Sequence, residues 1–197
     1  ELDKALEADP NASGPHEAKS EIYRMIGKLD LSLDSLNEAI KTRPGAPDNV
    51  RLYRVRGRTH DMLGNFDLAE KDFGSAISLS PEDATLYGDR AWFYFTQERY
   101  DKSAKDWEAS IKINPSDIST AFYSSLTYYK LGDYRKVIDL NNAVIESDPV
   151  HGNAHNQIGE AYLELGDYEN ALAAFNKAIG LHDDRGIYYA NRSRVHE

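Results

Sequence analysis

Five prolines, Pro10, Pro44, Pro81, Pro115 and Pro149, stand 34, 37, 34 and 34 residues apart. A chain that repeats itself at a fixed period of this size builds one small supersecondary unit several times and stacks the copies, because a single unit cannot bury its apolar face alone. Three further series keep the same beat. Small residues recur at Ser20, Gly57, Ala91, Ser125, Gly159 and Ser193, and bulky ones at Leu29, Phe66, Tyr100, Tyr134 and Tyr168. A second small series runs Ala5, Ala39, Ala76, Ser110 and Ala178, with Val144 fitting less well. Four independent series at one period exclude coincidence.

Each unit reads as two helices. In 152–185, Ile158, Ala161, Tyr162 and Leu165 follow helical spacing and stop at Gly166-Asp167, after which Ala171, Leu172, Phe175, Ala178 and Ile179 open a second periodic stretch. Gly27, Gly64, Gly132 and Gly166 fall where the first helix must end, and glycine adopts the left-handed conformation of such an end cheaply. The proline closes the second helix, since the residue before it avoids the α region. Small residues mark the close approach of two helix backbones, and aromatic residues fill the space beside them.

This pattern resembles the tetratricopeptide repeat family, whose unit of about 34 residues has small residues at positions 8, 20 and 27, Gly at 15, an aromatic at 17 and Pro at 32. The stretch AHNQIGEAYLELGDYENALAAFNKAIGL over 154–181 is a near-consensus example, and the resemblance covers essentially the whole chain. It implies an all-α, right-handed superhelical solenoid of antiparallel helix pairs. A single array over 1–197 is expected: the tail of a preceding repeat at 1–12, full repeats at 13–46, 50–83, 84–117, 118–151 and 152–185, and the start of a further repeat at 186–197.

The departures from the pattern are few. Pro47, Asp48 and Asn49 form an insertion that accounts for the 37-residue interval, Glu98 replaces a turn glycine, and Asp183 replaces a proline. In the fourth full repeat Asn141 and Val144 hold positions that normally carry an aromatic and an alanine, while Leu140 and Ala143 lie one residue earlier. That shift predicts a rotated or irregular second helix.

Charge narrows the function classes. With 23 basic and 33 acidic side chains the net is −10, which disfavours nucleic acid and anionic membranes because Lys and Arg supply most of the affinity for phosphate. The longest apolar runs are five residues, against the 18 or so of a membrane span, so no membrane insertion is expected. No secretory signal is visible, which favours an intracellular place, and the missing initial Met suggests a processed form or a fragment. Cysteine is absent, which excludes thiolate metal sites and cysteine nucleophiles. No phosphate-cradling glycine loop and no Ser, His and acid group outside the repeat pattern occurs, so neither catalysis nor a cofactor is expected.

Most aromatics are absorbed by the repeat. Tyr23, Tyr94, Tyr128 and Tyr162 recur at position 11, Tyr53, Tyr87 and Tyr189 at position 4, and Tyr100, Tyr134, Tyr168 and Phe66 at position 17; with Phe73, Trp107 and Phe175 at position 24 these are expected to be packing residues. The resemblance implies a concave surface lined by first-helix positions 2, 5, 6, 9, 12 and 13, which share one helix face. The residues there are Arg51, Arg54 and Arg58, then Trp92 and Phe95, then Phe122, Tyr123 and Tyr129, then Asn153, Asn156, Gln157 and Glu160, and finally Asn191 and Arg194. Aromatic residues and arginine are the types enriched at interface hot spots. Alternatively, the arginines are a solvated face and the aromatics pack between neighbouring repeats.

Other constellations carry less. His151 and His155 are four apart but straddle a turn containing Gly152, with no third metal ligand in view. The sequons at Asn11 and Asn191 matter only in a secreted chain. The clamp by which chaperone-binding members of the family hold a terminal carboxylate is not matched: Arg54 and Arg58 are followed by Asp89, and then by Ser119 and Tyr123.

The expectation is therefore a non-enzymatic scaffold that binds a protein or peptide segment, with acidic and bulky apolar residues, in a concave groove lined by Arg51, Arg54, Arg58, Trp92, Phe95, Phe122, Tyr123, Tyr129, Asn156 and Asn191. Two alternatives remain: the regulatory or targeting arm of a larger enzyme, and a scaffold that self-associates through open array ends.

Overall fold

Helix after helix follows the periodicity. The structure, a computed structural model, describes residues 4, 7–9, 13–42 and 46–196. Eleven α-helices occur among them and no strand: α1 (Ser13–Met25), α2 (Leu29–Thr42), α3 (Val50–Met62), α4 (Phe66–Leu79), α5 (Ala84–Thr96), α6 (Tyr100–Ile113), α7 (Ile118–Leu131), α8 (Tyr134–Ser147), α9 (Gly152–Glu164), α10 (Tyr168–Leu181) and α11 (Gly186–Ser193). Short 3-10 turns cover Pro47–Asn49 and Arg194–His196, so the inserted residues wind directly into α3. Pro10, Pro44, Ala5 and the Asn11 sequon lie outside the described residues, as does most of the expected repeat tail at 1–12.

Although the periodicity runs through 1–197 without a break, the chain divides into two compact units, 1–90 and 91–197, the division falling within α5. In the first, α1 packs on α2, α2 on α3 and α3 on α4. Leu36, Ala39, Ile40, Leu52 and Val55 form one buried cluster there, and Ala76, Ile77 and Leu86 another. In the second, α6 through α11 pack each on the next, with Ala104, Tyr128, Val137, Ile138, Leu140 and Ala161 at the centre. Buried hydroxyl and indole groups in this core find partners: Ser103 Oγ donates to the Ala91 carbonyl at 2.8 Å, and Trp107 Nε1 donates to Thr127 Oγ1 at 3.1 Å.

The turns obey local chemistry. Gly27, Gly64, Gly132 and Gly166 take φ of 72°, 75°, 78° and 76°, and Glu98 is forced to 57° at the same place in its repeat. Asp133 and Asp167, each one residue beyond a turn glycine, accept from the backbone N–H of Lys136 and Asn170 at 3.1 and 3.2 Å and cap the second helices. Ser80, Asn114 and Asp148, each before a proline, leave the α region with φ of −142°, −129° and −131°. His182 does the same at −146° without a proline after it, so the repeat packing itself imposes that bend.

The small positions are where the helices of a pair touch. A Cβ on Gly159 would sit 2.6 Å from the Phe175 ring, and one on Gly57 would sit 3.2 Å from the Phe73 ring. Ser20, Ala91 and Ser125 at the same position are fully buried, as are Ala76, Val144 and Ala178 in the second small series.

Two expectations need correction. Helix α8 is neither rotated nor broken: it has the 14 residues of its counterparts, and Asn141 and Val144 both face inward with no exposure. The amide is tolerated because Asn141 Nδ2 donates to the Val137 carbonyl at 2.9 Å and to Gln157 Oε1 at 3.1 Å, replacing the contacts an aromatic would have made. The bulky position 17 is also less packed than its regularity suggests, since Phe66 is 42% and Tyr168 57% exposed.

Two stability measurements follow from this geometry. Replacing Gly159 with Ala drives a methyl into the Phe175 ring and lowers stability by about 1–3 kcal/mol. In Gly57→Ala the looser contact and the gain in helix propensity, about 1 kcal/mol, nearly cancel; equal losses in urea melts would contradict the difference in packing. Glu98→Gly removes a left-handed conformation that a side chain resists and raises stability by about 1 kcal/mol, read as an upward shift of the same melt.

Candidate interaction surface

The first-helix faces of the two units differ in chemistry. In the first, none of the three arginines is uncompensated. Arg51 on α3 pairs with Glu17 of α1, and Arg54 pairs with Asp89 of α5. Arg58 Nη2 donates to the other oxygen of the same carboxylate, Asp89 Oδ1, at 2.6 Å. Burial would lower the Arg54 pKa, but the bond and charge of Asp89 outweigh it and hold the guanidinium above its ordinary value. Each of these three positive charges is therefore met within the unit.

In the second unit the expected aromatics come together. Trp92 stacks on Phe95 with centroids 5.2 Å apart and planes 19° from parallel. Its other neighbour is Tyr123 of α7, edge-on at 5.7 Å, followed by Phe122 at 5.6 Å from Tyr123 and His151 at 4.9 Å from Phe122. Phe95 is extended on the other side by Tyr100 at 5.6 Å. Six rings thus form a continuous series, and Trp92 and Tyr123 are 43% and 45% exposed. The contacts are of the offset and edge-to-face kinds that ring quadrupoles favour. The rings pack across neighbouring repeats, and two of them still present large areas outward.

Tyr129 does not join this series. It pairs with Tyr134 at 5.4 Å and its hydroxyl donates to Glu164 Oε1 at 3.1 Å. Burial and that carboxylate push its phenol up to about 12. The remaining predicted residues form a polar strip on α9 and α11. Asn191 Nδ2 donates to Asn156 Oδ1 at 3.1 Å, and Asn156 Nδ2 donates to Glu160 Oε2 at 3.0 Å. Asn156 and Asn191 are buried, which makes them helix-to-helix links rather than outward-facing ligands. Ser125 donates to Gln157, and Arg194 Nη2 donates to Glu164 Oε1 at 3.2 Å. His151 and His155 have separate tasks: His151 Nδ1 accepts from the Ala154 N–H at 3.1 Å as the cap of α9, while a ring nitrogen of His155 meets the Pro149 carbonyl at 3.2 Å.

Models of the tetratricopeptide repeat match residues 54–118 and 152–184. Both stretches are tetratricopeptide repeats. Human tetratricopeptide repeat protein 13 is 28% identical over 96 residues, a match covering 48% of this chain and 11% of that protein. The chain therefore spans about a tenth of the curated relative it matches. Among solved structures, YrrB, described as a TPR protein with an unusual peptide-binding site, aligns with a TM-score of 0.81 at 19% identity, covering 98% of this chain and 97% of YrrB. A tetratricopeptide repeat protein from Parabacteroides merdae aligns with a TM-score of 0.85 at 21% identity, covering 93% of this chain and 72% of its own.

Repeat register also explains the polar cluster that was not anticipated from sequence. Arg56 of α3 makes two bonds of 2.7 Å to the carboxylate of Asp72 on α4 and a third of 2.9 Å to Asn37 on α2. His60 stands 3.9 Å from the same carboxylate, and burial lowers its pKa. Arg56 and Asp72 are 16 residues apart, as are Asn141 and Gln157, and Asn176 and Arg192, which also bond. In this TPR geometry that spacing joins a first helix to a neighbouring second helix, and it is the signal that would have revealed the pair.

The doubly used Asp89 gives a direct check. Asp89→Asn leaves two guanidinium groups without their countercharge and costs roughly 1–3 kcal/mol. Arg58→Ala alone, at a more solvated position, costs under about 1 kcal/mol. Chemical unfolding of the three proteins orders them parent, Arg58→Ala, Asp89→Asn; the reverse order of the two variants would show that Asp89 does not organise this face.

Proposed function

We propose that this chain is a non-catalytic protein-interaction scaffold, and that a partner segment docks on the aromatic face of its second unit. One observation carries the reading. Trp92 and Tyr123, on first-helix positions, expose more than two fifths of their area while held at fixed orientation by Phe95 and Phe122. Large apolar side chains held rigidly at a surface lose little entropy when a partner covers them, which is the property of interface anchors. The tetratricopeptide repeats and the likeness to YrrB support the same class of function. Among the described residues no helix is long and apolar enough to cross a membrane. The arginines of the first unit, already paired, act as internal struts in this proposal rather than as partner contacts.

The test is a peptide-array screen with the parent protein, followed by affinity measurements on the retained sequences. Trp92→Ala and Tyr123→Ala each weaken binding by about 2 kcal/mol or more. Tyr168→Ala, which removes a still more exposed ring from a second helix, has no effect on affinity. Retained peptides that bind Trp92→Ala and Tyr123→Ala as they bind the parent would move the contact surface elsewhere.

A further inference from the structure

The charges on the second unit's first-helix face do not balance in the way those of the first unit do. Arg194 is taken by Glu164 at 3.2 Å, and Glu164 also accepts from Tyr129. Glu160, one turn earlier on α9, has only the amide of Asn156 at 3.0 Å, and among the described residues no cation lies within ion-pair distance of it. Its carboxylate is half-buried, and burial pushes its pKa up, against the charge of Arg194 and the bond from Asn156. A half-buried carboxylate with no cation in direct contact is costly, and a cation delivered to it offsets part of that cost.

Position and net charge point the same way. Gln157, Glu160 and Glu164 follow one another at i, i+3 and i+7, so they share a face of α9. Gln157 and Glu164 bond to Ser125 and Tyr129 of α7, the helix that carries Phe122 and Tyr123. Glu160 therefore lies on the strip that borders the ring series. Residues 91–197 hold 11 basic and 16 acidic side chains, a net of −5, which steers a positive segment toward the unit and repels a negative one. Ring faces in this unit already hold cations, with Arg99 4.8 Å and Lys102 5.3 Å from the centroid of Tyr94.

We propose that the partner is a peptide segment that seats bulky apolar side chains on the Trp92–Tyr123–Phe122 rings and places an arginine or lysine against Glu160. This rests on the docking surface proposed above and reverses the acidic preference expected from sequence. It makes Glu160 a specificity-determining residue and Trp92 an affinity-determining one.

The experiment uses three fluorescein-labelled peptides of about a dozen residues with one common Leu/Phe pattern, whose remaining positions are Arg, Gln or Glu, measured by anisotropy at low and physiological salt. The Arg peptide is expected to bind at least about 10-fold tighter than the Glu peptide, and the gap to narrow as salt screens it. Glu160→Gln brings the two affinities within about 3-fold of each other, while Glu160→Asp, which keeps the charge, retains most of the preference. Trp92→Ala weakens all three. Equal or tighter binding of the Glu peptide, or an undiminished gap in Glu160→Gln, overturns the basic partner and leaves the aromatic docking surface standing. Three peptides that bind Trp92→Ala as well as the parent, or none that binds the parent at all, overturn the docking surface and this inference with it.

Discussion

The close approach of two helices over a residue with almost no side chain is the contact on which the rest depends. Where Gly159 meets Phe175, the ring lies so near the backbone of α9 that a single methyl group would overlap it. That contact sets the separation of α9 and α10, and the same pairing of small and large residues sets α3 against α4 at Gly57 and Phe73. Once the two helices of a pair are this close, their outer faces must be covered by the next pair, because apolar residues such as Val137 and Ala161 are left on them. Stacking is thus a consequence of packing within each pair.

Helices brought together at this distance carry their polar groups into the interior too, and the two units compensate differently. The first unit neutralises charge with charge: Arg56 with Asp72, Arg54 and Arg58 with Asp89, Arg51 with Glu17. The second relies on amides and hydroxyls, with Asn141, Gln157 and Ser125 in one network and Asn156 with Asn191 in another. Its first-helix face is consequently freer to present rings and, at Glu160, a carboxylate with no cation in direct contact among the described residues.

Much of the fold was legible in the sequence because a repeat states its local rules several times. A turn glycine such as Gly132 and a capping Asp133 act through their own backbone and the next few residues, so their roles need no knowledge of distant neighbours. The aromatic face was legible as a set of positions, since Trp92, Phe95, Phe122 and Tyr123 share one helical register. The charge on the arginines was visible and their neutralisation was not, because Asp89 lies 35 residues from Arg54. The same distance separates Tyr129 from Glu164 and Asn156 from Asn191, and only the stacking offset of successive first helices brings such residues within reach.

Asn141 marks the boundary between the two kinds of information. By type and position it suggested a slipped helix, since an amide in place of an aromatic leaves a buried polar group unpaired unless something answers it. The amide nitrogen is answered by Gln157 and by the backbone of α8 itself, while Oδ1 has no partner among the described residues, and the helix keeps its register. Sequence alone determined where helices begin, turn and end, and which positions are small, because those are local steric demands repeated along the chain. Tertiary structure alone decided which polar and charged groups are spent on one another and which, like Glu160, are left over, because that depends on distances between residues that only stacking brings close.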